Sequence, residues 1–469
     1  MFTPKMLARL IGVAALTALP LMGLSQAGQL DTSDDRVSLE AESRLPLEDL
    51  RSFAKVFEQI RRGYVEEVDD STLLEFAIKG MLQGLDPHSS YLDSRSFTDL
   101  QANTTGEFAG LGIEVGIEDD YITIITPMDD TPAERAGLRA GDVILRMSGK
   151  SMRGVSLDDA VEKMRGPVGS PVTLTIGRKG HKEPFDVTLK RDKVRVYSVR
   201  GEMLEDGYGY LRISQFQLDT GNDLVRAMNK LKKQGELKGL VIDLRNNPGG
   251  VLQSSVEVVD AFLEEGLVVY TEGRNESSNL RYSASPGDLS KGAPLVVLIN
   301  DGSASAAEIV AGALQDHRRA VVMGTDSFGK GSVQTVIPIN DDRAIKLTTA
   351  LYFTPKGRSI QAQGIKPDIT VERVQVKRMD GRTRTTEADL AGHLGNGNGG
   401  EESGSEDRKR AKAGQEDWYS RDNQVFEALN VLKGLNLYVR RVPAHSSEKP
   451  SAETEETKDK VARVRPEDL

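Results

Sequence analysis

Two short segments that contain glycine place the strongest constraint on the fold of this chain: Gly302–Ile309, which contains Ser305, and Phe328–Gln334, which contains Lys330. Ser305 and Glu308 have the spacing of a capping box, so we expect a helix to begin at Ser305. The second segment predicts a tight glycine turn that leads into a strand. One helix and one strand fill the 25 residues between Ser305 and Lys330 and can return the lysine to the serine, which favours an α/β core.

Ser305 has two interpretations, which need not exclude each other. It can serve only as the helix cap, for which Ser303 is the alternative in the same segment. It can also be a nucleophile, because backbone N–H groups and the helix dipole favour negative charge at a helix start. A developing oxyanion requires such groups, and the N–H of Ala306 is therefore a candidate donor.

A serine nucleophile needs a base, and the histidines are poorly placed to supply one. His317 follows Ser305 by 12 residues, which on a single helix separates the two by about 18 Å. The other four lie in other predicted domains, in a linker or in the tail: His88, His181, His393 and His445. Lysine is therefore the better candidate for the base.

Lys330 can act as a base only if its pKa falls from about 10.4 toward neutrality, which burial away from water achieves. Phe328 and Val333 are suited to provide such a dry site, and a solvated loop lysine is the alternative. If the segment is extended, its period of two places Gln334 on the same face as Lys330. Gln334 can then orient the lysine amine by a hydrogen bond, or it is an ordinary amide at a strand edge.

A further glycine pair lies in the run Arg245–Gly250, after a buried-looking strand over 240–244. Paired glycines allow a tight turn or a close approach of the backbone to a ligand. We therefore consider the N–H of Gly249 or Gly250 as a second oxyanion donor. A plain strand-to-helix turn is the alternative.

The composition excludes several other chemistries. The 469 residues carry 61 Lys and Arg against 71 Asp and Glu, a net charge of −10, which argues against a nucleic-acid partner. With no cysteine and five scattered histidines, we expect no thiolate nucleophile, no metal and no cofactor. The run Gly324–Gly331 nearly matches a phosphate-binding loop, but Gly331 occupies the hydroxyl position and strand-like residues follow.

The beginning of the chain is typical of an export signal. Lys5 and Arg9 precede an apolar stretch over 10–24, and small residues at 25 and 27 suit a signal peptidase. The stretch is shorter than the roughly 20 residues that a spanning helix needs. We predict a signal peptide over 1–27 and a periplasmic protein without a transmembrane span after its removal, with an uncleaved anchor as the alternative.

The remaining patterns predict a mixed α/β chain of several segments. Apolar residues at helical spacing over 47–60 and 73–81 predict helices that pack on another chain or domain. In order, we expect a helical oligomerisation segment over 28–102, a segment that resembles a PDZ domain over 103–190, an α/β core over 195–375, a flexible linker over 376–415, a C-terminal helical segment over 416–445 and a disordered tail over 446–469. Val425, Leu429 and Leu432 form an apolar stripe that could join an oligomer contact.

Three further motifs complete a resemblance over nearly the whole mature length: Gly84–Ser89, Gly110–Ile113 and Asp243–Gly250. Together with the serine and lysine segments, in this order and spacing, they resemble the carboxyl-terminal processing proteases of bacteria. The resemblance implies a serine endopeptidase with a crotonase-like core and a PDZ domain inserted before it. It makes Ser305 the nucleophile, Lys330 the base and Gln334 the supporting residue.

The resemblance also implies how substrates are chosen. A peptide would add as a strand beside Ile113, with its carboxylate on the loop of Gly110, Leu111 and Gly112, and with Val161 and Met164 lining a pocket for an apolar last side chain. A PDZ domain that only gates the protease is the alternative. The implied partners are exported or cell-envelope proteins with accessible apolar C-termini, further copies of the chain and, in some members, a helical-repeat lipoprotein adaptor. A non-catalytic PDZ scaffold on the same fold is the alternative function.

Overall fold

The computed structural model of the protein describes residues 46–374, 394 and 422–441. The predicted signal peptide, the tail and all but residue 394 of the predicted linker lie outside these residues. The chain divides into two compact units, residues 1–78 and 79–469.

The described part of the first unit contains two helices, and both were predicted. They are α1 (Leu47–Gly63) and α2 (Asp70–Gln83), which runs into the second unit. Acidic residues in the first turn of α1 and Arg61 and Arg62 in its last turn complement the helix dipole. No residue of α1 is buried. An apolar groove of about 410 Å3 opens on this helix pair and is lined by Phe53, Val56, Phe57, Ile60, Tyr64, Val68, Leu73, Phe76 and Ala77.

The next segment departs from the predicted helical region. A short strand, β1 (Ser90–Leu92), pairs with a distant strand of the core, and α3 (Ser94–Thr105) follows it. The side chain of Asp93 caps α3 by accepting the N–H of Ser96, and Gly106 ends the helix in the left-handed conformation. A strand of three residues is too short to show the alternation of period two by which a sequence predicts a strand. β1 forms because it pairs with a strand that is distant in the sequence.

The segment that resembles a PDZ domain is an antiparallel sheet with two short helices. Its elements are β2 (Glu107–Gly110), β3 (Ile113–Glu118), β4 (Tyr121–Pro127), α4 (Pro132–Arg135), β5 (Val143–Met147), β6 (Lys150–Ser151), α5 (Leu157–Met164), β7 (Pro171–Gly177), β8 (Phe185–Lys190) and β9 (Asp192–Arg195). The strand order is β3-β4-β5-β7-β8, with β3 at one edge, and β2 pairs with β9. Ile122, Ile124, Ile144, Leu174 and Ile176 are fully buried between the sheet and the helices.

The α/β core is a six-stranded sheet with helices packed on it. Its order is β10 (Val199–Glu205), β11 (Tyr208–Ile213), β12 (Gly239–Asp243), β15 (Leu295–Ile299), β16 (Ala320–Gly324) and β19 (Ile369–Thr370), and the pairs from β11 onward are parallel. Three helices connect these strands, α6 (Thr220–Lys232), α7 (Leu252–Asp260) and α8 (Ala306–Asp316). The helices and inner strands were predicted within a few residues, whereas β10 was not.

A second sheet in the core carries the strand that follows the predicted lysine turn. It contains β1, β13 (Leu267–Gly273), β14 (Arg281–Ser283), β17 (Ser332–Pro338) and β18 (Ala344–Phe353). β18 pairs with β1, β13 and β17, so it is the central strand of this sheet. Its register places Thr348 opposite Gln334, after a bulge at Val333 and Gln334.

The last helix, α9 (Asn423–Arg441), covers the second face of the six-stranded sheet. Successive residues of β12 and β15 point to opposite faces of the sheet. Ile242 and Val297 pack with α6, α7 and α8 on one face. Val241 and Val296 pack with α9 on the other. Val425, Leu429 and Leu432 are fully buried in this contact. The expectation that this stripe joins an oligomer contact is therefore wrong, because it belongs to the core of its own chain.

Candidate active site

Ser305 lies at the N-cap of α8, immediately after the loop that leaves β15. Its backbone has φ +55° and ψ −115°, a conformation that a non-glycine residue rarely adopts. Gly249 packs against it so closely that a Cβ on Gly249 would stand 2.7 Å from the Cβ of Ser305. Local strain of this kind concentrates at functional sites, where surrounding contacts hold it in place.

Ser303, the other serine of the segment, has a structural role. It is fully buried. Its hydroxyl donates to the carbonyl oxygen of Leu244 at 2.8 Å and accepts the N–H of Asn300 at 3.0 Å. Ser303 thereby ties the serine loop to the end of β12, and Ser305 is the residue that begins the helix.

The carboxylate of Glu308 is the hub of the site. It accepts the backbone N–H of Ser305 at 2.8 Å, as the capping-box spacing predicted. It also accepts the N–H groups of Gly329 at 2.7 Å and Lys330 at 2.9 Å, and the hydroxyl of Ser327 at 2.6 Å. Burial raises the pKa of Glu308, and these hydrogen bonds counteract the rise.

Lys330 and Ser305 line the same cleft, which has a volume of about 390 Å3. Burial lowers the pKa of Lys330, and the ammonium of Lys346 lowers it further, whereas Asp86 and Glu308 act in the opposite direction. Val333 lies in the cleft as expected. The expectation for Phe328 is wrong, because its side chain is 63% exposed and contributes little to a dry site.

Gln334 also lines the cleft, so the structure brings together all three predicted catalytic residues. Its Nε2 donates to the Ser332 hydroxyl at 2.9 Å and to the Thr348 hydroxyl at 3.4 Å. The bulge in β17 lies between Lys330 and Gln334, so a strict period of two does not relate the two side chains.

The three predicted oxyanion donors, Ala306, Gly249 and Gly250, all line the cleft. The N–H of Gly249 already donates to the side-chain oxygen of Asn247 at 2.9 Å. Within the described ranges, the N–H of Gly250 has no such acceptor. Gly249 instead leaves space beside the amide nitrogen of Ala306, because it has no side chain. A Cβ on Gly249 would stand 3.0 Å from that nitrogen.

The cleft contains side chains that sequence reasoning missed. Lys346 and Tyr352 lie on β18, where alternate residues share one face. The hydroxyl of Tyr352 donates to the carbonyl oxygen of Lys330, and burial raises the pKa of Tyr352 well above its ordinary value. Other residues of the lining are Leu100, Asn103, Thr104, Gln215, Phe216, Val251, Leu252, Ile309 and Val336.

The loop after β12 is anchored by a buried charge network that sequence reasoning also missed. Arg245 donates to Asp243 at 2.6 Å and to Asp422, just before α9, at 2.9 Å. Tyr210 donates its hydroxyl to Asp243 at 2.7 Å. The glycine pair of the cleft is thus connected through Arg245 to the C-terminal helix.

The predicted peptide-binding residues all lie in the PDZ-like domain, at the junction of β2 and β3 and on α5, and none of them lines the cleft. Gly110 ends β2 and Ile113 begins β3, and the carbonyl oxygens of Leu111 and Gly112 accept the N–H groups of Ala133 and Met128. The side chains of Leu111 and Met164 are buried in this domain's core, and Val161 is half-buried on α5.

Comparisons with known proteins agree with this architecture. Residues 207–371 match the model of peptidase family S41, and residues 99–177 match the PDZ domain. Residues 14–96 match the N-terminal domain of the activating protease CtpB. A carboxy-terminal-processing protease of Bartonella bacilliformis is 50% identical over 349 residues, which are 74% of this chain and 80% of the relative.

The chain belongs to the carboxy-terminal processing proteases. This protease is also 37% identical over 320 residues to the carboxy-terminal processing protease CtpA of Bacillus subtilis, covering 68% of each chain. A solved photosystem II D1 C-terminal processing protease shares 32% identity over 68% of this chain and 87% of its own, with a TM-score of 0.41.

The family membership confirms the predicted class of fold and of enzyme: a mixed α/β serine protease of family S41 with a PDZ domain. Within residues 46–374 and 422–441, the protease has no helix with the length and apolarity needed to cross a membrane.

Proposed function

We propose that Ser305 is the nucleophile and Lys330 the general base of this protease. The observation that carries the proposal is the shared carboxylate of Glu308, which accepts the backbone amides of both residues. The two side chains line one cleft, and burial lowers the pKa of Lys330. Only a neutral lysine can accept a proton, so the lowered pKa increases the reactive fraction near neutral pH.

The reaction follows from the positions of these groups. Neutral Lys330 accepts the hydroxyl proton of Ser305 as Oγ attacks the scissile carbonyl carbon. The N–H groups of Ala306 and Gly250 stabilise the oxyanion. When the C–N bond breaks, the Lys330 ammonium returns its proton to the leaving amine. Water then hydrolyses the acyl-enzyme, with Lys330 again as the base.

The PDZ domain selects substrates by their C-terminal regions. Among the described strands β3 pairs with β4 alone, so its second edge can accept an extended peptide. The terminal carboxylate would lie on the N–H groups of the loop 110–113, with an apolar last side chain near Val161 and Met164. Gating of the protease by the same domain is the alternative.

The substrates are exported or cell-envelope proteins, and the protease is periplasmic, with its signal peptide over 1–27. The segment over 28–102 joins copies of the chain into a homo-oligomer, and the exposed apolar groove of α1 and α2 supports this part of the proposal. A helical-repeat lipoprotein adaptor is a further proposed partner. The segment boundaries predicted from the sequence remain part of this proposal.

A cleavage assay tests the catalytic assignment. The chain from Gly28 onward is incubated with an unstructured protein that ends in apolar residues, and mass spectrometry identifies the products. We expect cleavage by the wild type and none by Ser305→Ala or by Lys330→Arg, because arginine stays protonated. Cleavage by Ser305→Ala at the wild-type rate would contradict the assignment. Amidation of the substrate's C-terminus tests the PDZ proposal, since it removes the charge that the loop 110–113 would bind.

A further inference from the structure

The turn Gly84–Ser89 is one of the motifs that carry the family resemblance, and its aspartate is close enough to Lys330 to act on its charge. Asp86 accepts the N–H groups of His88 at 2.7 Å and Ser89 at 2.9 Å, which shapes the turn. It also accepts the hydroxyls of Ser89 at 2.6 Å and Thr348 at 3.1 Å. Asp86 is therefore bonded to a strand that lies 262 residues further along the chain.

Thr348 connects Asp86 to Gln334. Its backbone N–H donates to the Ser89 hydroxyl at 3.1 Å, and the register of β17 and β18 places it opposite Gln334. An ionised carboxylate can only accept hydrogen bonds, so the single proton of the Thr348 hydroxyl points to Asp86. The lone pairs of the same hydroxyl are then left to accept Nε2 of Gln334, at 3.4 Å.

This arrangement decides which way the amide of Gln334 faces. Its Nε2 has two acceptors, the hydroxyls of Ser332 and Thr348. If the amide of Gln334 were reversed, its Oε1 would face the hydroxyl of Thr348. That hydroxyl already donates its only proton to Asp86 and has none left to donate to Oε1. Oε1 therefore faces away from Thr348. In the described part of the chain no donor reaches Oε1, which leaves it to accept a hydrogen bond from the amine of Lys330.

We propose that Asp86 and Thr348 are positioning residues of the catalytic site: Asp86 orients the Thr348 hydroxyl, and Thr348 holds Gln334 with its carbonyl oxygen toward Lys330. The proposal rests on the catalytic roles proposed above for Lys330 and Gln334. It gives the turn Gly84–Ser89, which precedes the PDZ domain, a role in the protease core.

The charges that face Lys330 add a second consequence. Asp86 and Glu308 stabilise its protonated form, whereas Lys346 disfavours that form, and His88 is close enough to interact with the same charge. The neutral substitution Asp86→Asn removes one of the two attracting charges. The pKa of Lys330 then falls, so the acid limb of the pH–rate profile moves to lower pH.

The first experiment compares three variants of the mature chain. Thr348→Val removes the hydroxyl with little change in shape, Thr348→Ser keeps it, and Thr349→Val is the matched control. The hydroxyl of Thr349 bonds that of Thr335 at 2.7 Å and takes no part in the relay. We expect Thr348→Val to lower kcat by roughly 10- to 100-fold with KM nearly unchanged. Thr348→Ser and Thr349→Val should stay within about 3-fold of the wild type.

A double-mutant cycle shows whether Thr348 acts through Gln334. We expect Gln334→Ala with Thr348→Val to be no slower than Gln334→Ala alone, because the relay then has nothing left to orient. The proposal would be overturned if the double variant lost kcat by the product of the two single losses. A wild-type kcat in Thr348→Val would overturn it too, as would a loss of kcat in Thr349→Val equal to that in Thr348→Val. Wild-type activity in Gln334→Ala would instead remove the catalytic role proposed for Gln334 itself.

The pH–rate profile of Asp86→Asn decides the question if Thr348→Val fails to fold, which thermal unfolding will reveal. The acid limb reports only the charge that Asp86 places near Lys330, so positioning is read from the plateau at high pH, where Lys330 is neutral in both proteins. A kcat on that plateau that is lowered by roughly 10-fold with KM nearly unchanged supports the proposal, and a wild-type plateau overturns it.

Discussion

The carboxylate of Glu308 accepts the backbone N–H of Lys330 at 2.9 Å, across 22 residues of sequence. The same oxygen accepts the N–H of Ser305 at 2.8 Å. One buried side chain thus fixes the backbones of both the proposed nucleophile and the proposed base. A residue that caps a helix therefore also determines how the backbones of Ser305 and Lys330 are placed relative to each other.

We expect Glu308→Gln to impair both activity and stability. Four donors converge on the carboxylate, and an amide would present N–H groups to some of them. A buried donor left without an acceptor costs about 1–3 kcal/mol in the free energy of unfolding, and the displaced backbone should lower kcat by at least about 10-fold. Denaturant unfolding and steady-state kinetics measure the two effects. Glu427→Gln, on the exposed side of α9, is the control and should change neither quantity.

The second prediction concerns the pH dependence of cleavage. Lys330 must be neutral to act, so the rate should rise as pH increases through its lowered pKa. The positive charge of Lys346 contributes to that lowering. Lys346→Met should therefore raise the pKa of Lys330 and move the acid limb of the pH–rate profile to higher pH.

Lys356→Met is the control for this measurement, because Lys356 is exposed and lies outside the cleft. Its acid limb should coincide with that of the wild type. The assignment of Lys330 as the base would be contradicted if the limb of Lys346→Met moved to lower pH. High salt should reduce the difference between Lys346→Met and the wild type, because mobile ions screen charges in a partly open cleft.

The sequence alone could predict the proposed nucleophile and the proposed base because their signals are local. The capping box at Ser305 and the glycine turn at Lys330 are each defined by a few consecutive residues. The structure contains the capping box, and Gly329 before Lys330 has a positive φ of 90°. Lys346 and Tyr352 were missed because they belong to the cleft only through the pairing of β18 with β17, which no local pattern specifies. The buried role of Leu429 was missed for a related reason. An apolar helical stripe is the same whether it covers its own sheet or another chain, although the apolar run of β12 already indicated a sheet covered on both faces.

The third prediction tests that reassignment of α9. Leu429 is fully buried against the six-stranded sheet, whereas Phe426 on the same helix is 42% exposed. Leu429→Ala should lower the free energy of unfolding by about 2–5 kcal/mol, because it removes buried carbon and leaves a cavity. Phe426→Ala should cost much less. Thermal unfolding and light scattering distinguish this result from an oligomer contact, for which Leu429→Ala would change the mass of the assembly and spare the stability of each chain.

The last prediction concerns the close approach of Gly249 to Ser305. Gly249 has φ +97°, and a Cβ there would stand 2.7 Å from the Cβ of Ser305 and 2.8 Å from the carbonyl oxygen of Ala304. Gly249→Ala should therefore displace the serine loop and reduce cleavage to the level of Ser305→Ala.

Gly180 is the control position that distinguishes the effect of this crowding from the cost of the backbone conformation. It has φ +91° with no atom within 4 Å of its would-be Cβ. Gly180→Ala should lose about 1–3 kcal/mol of stability through strain alone and keep its kcat. A Gly249→Ala variant that cleaves as fast as Gly180→Ala would show that the serine loop can move aside. The strained backbone of Ser305 would then not be a requirement of catalysis.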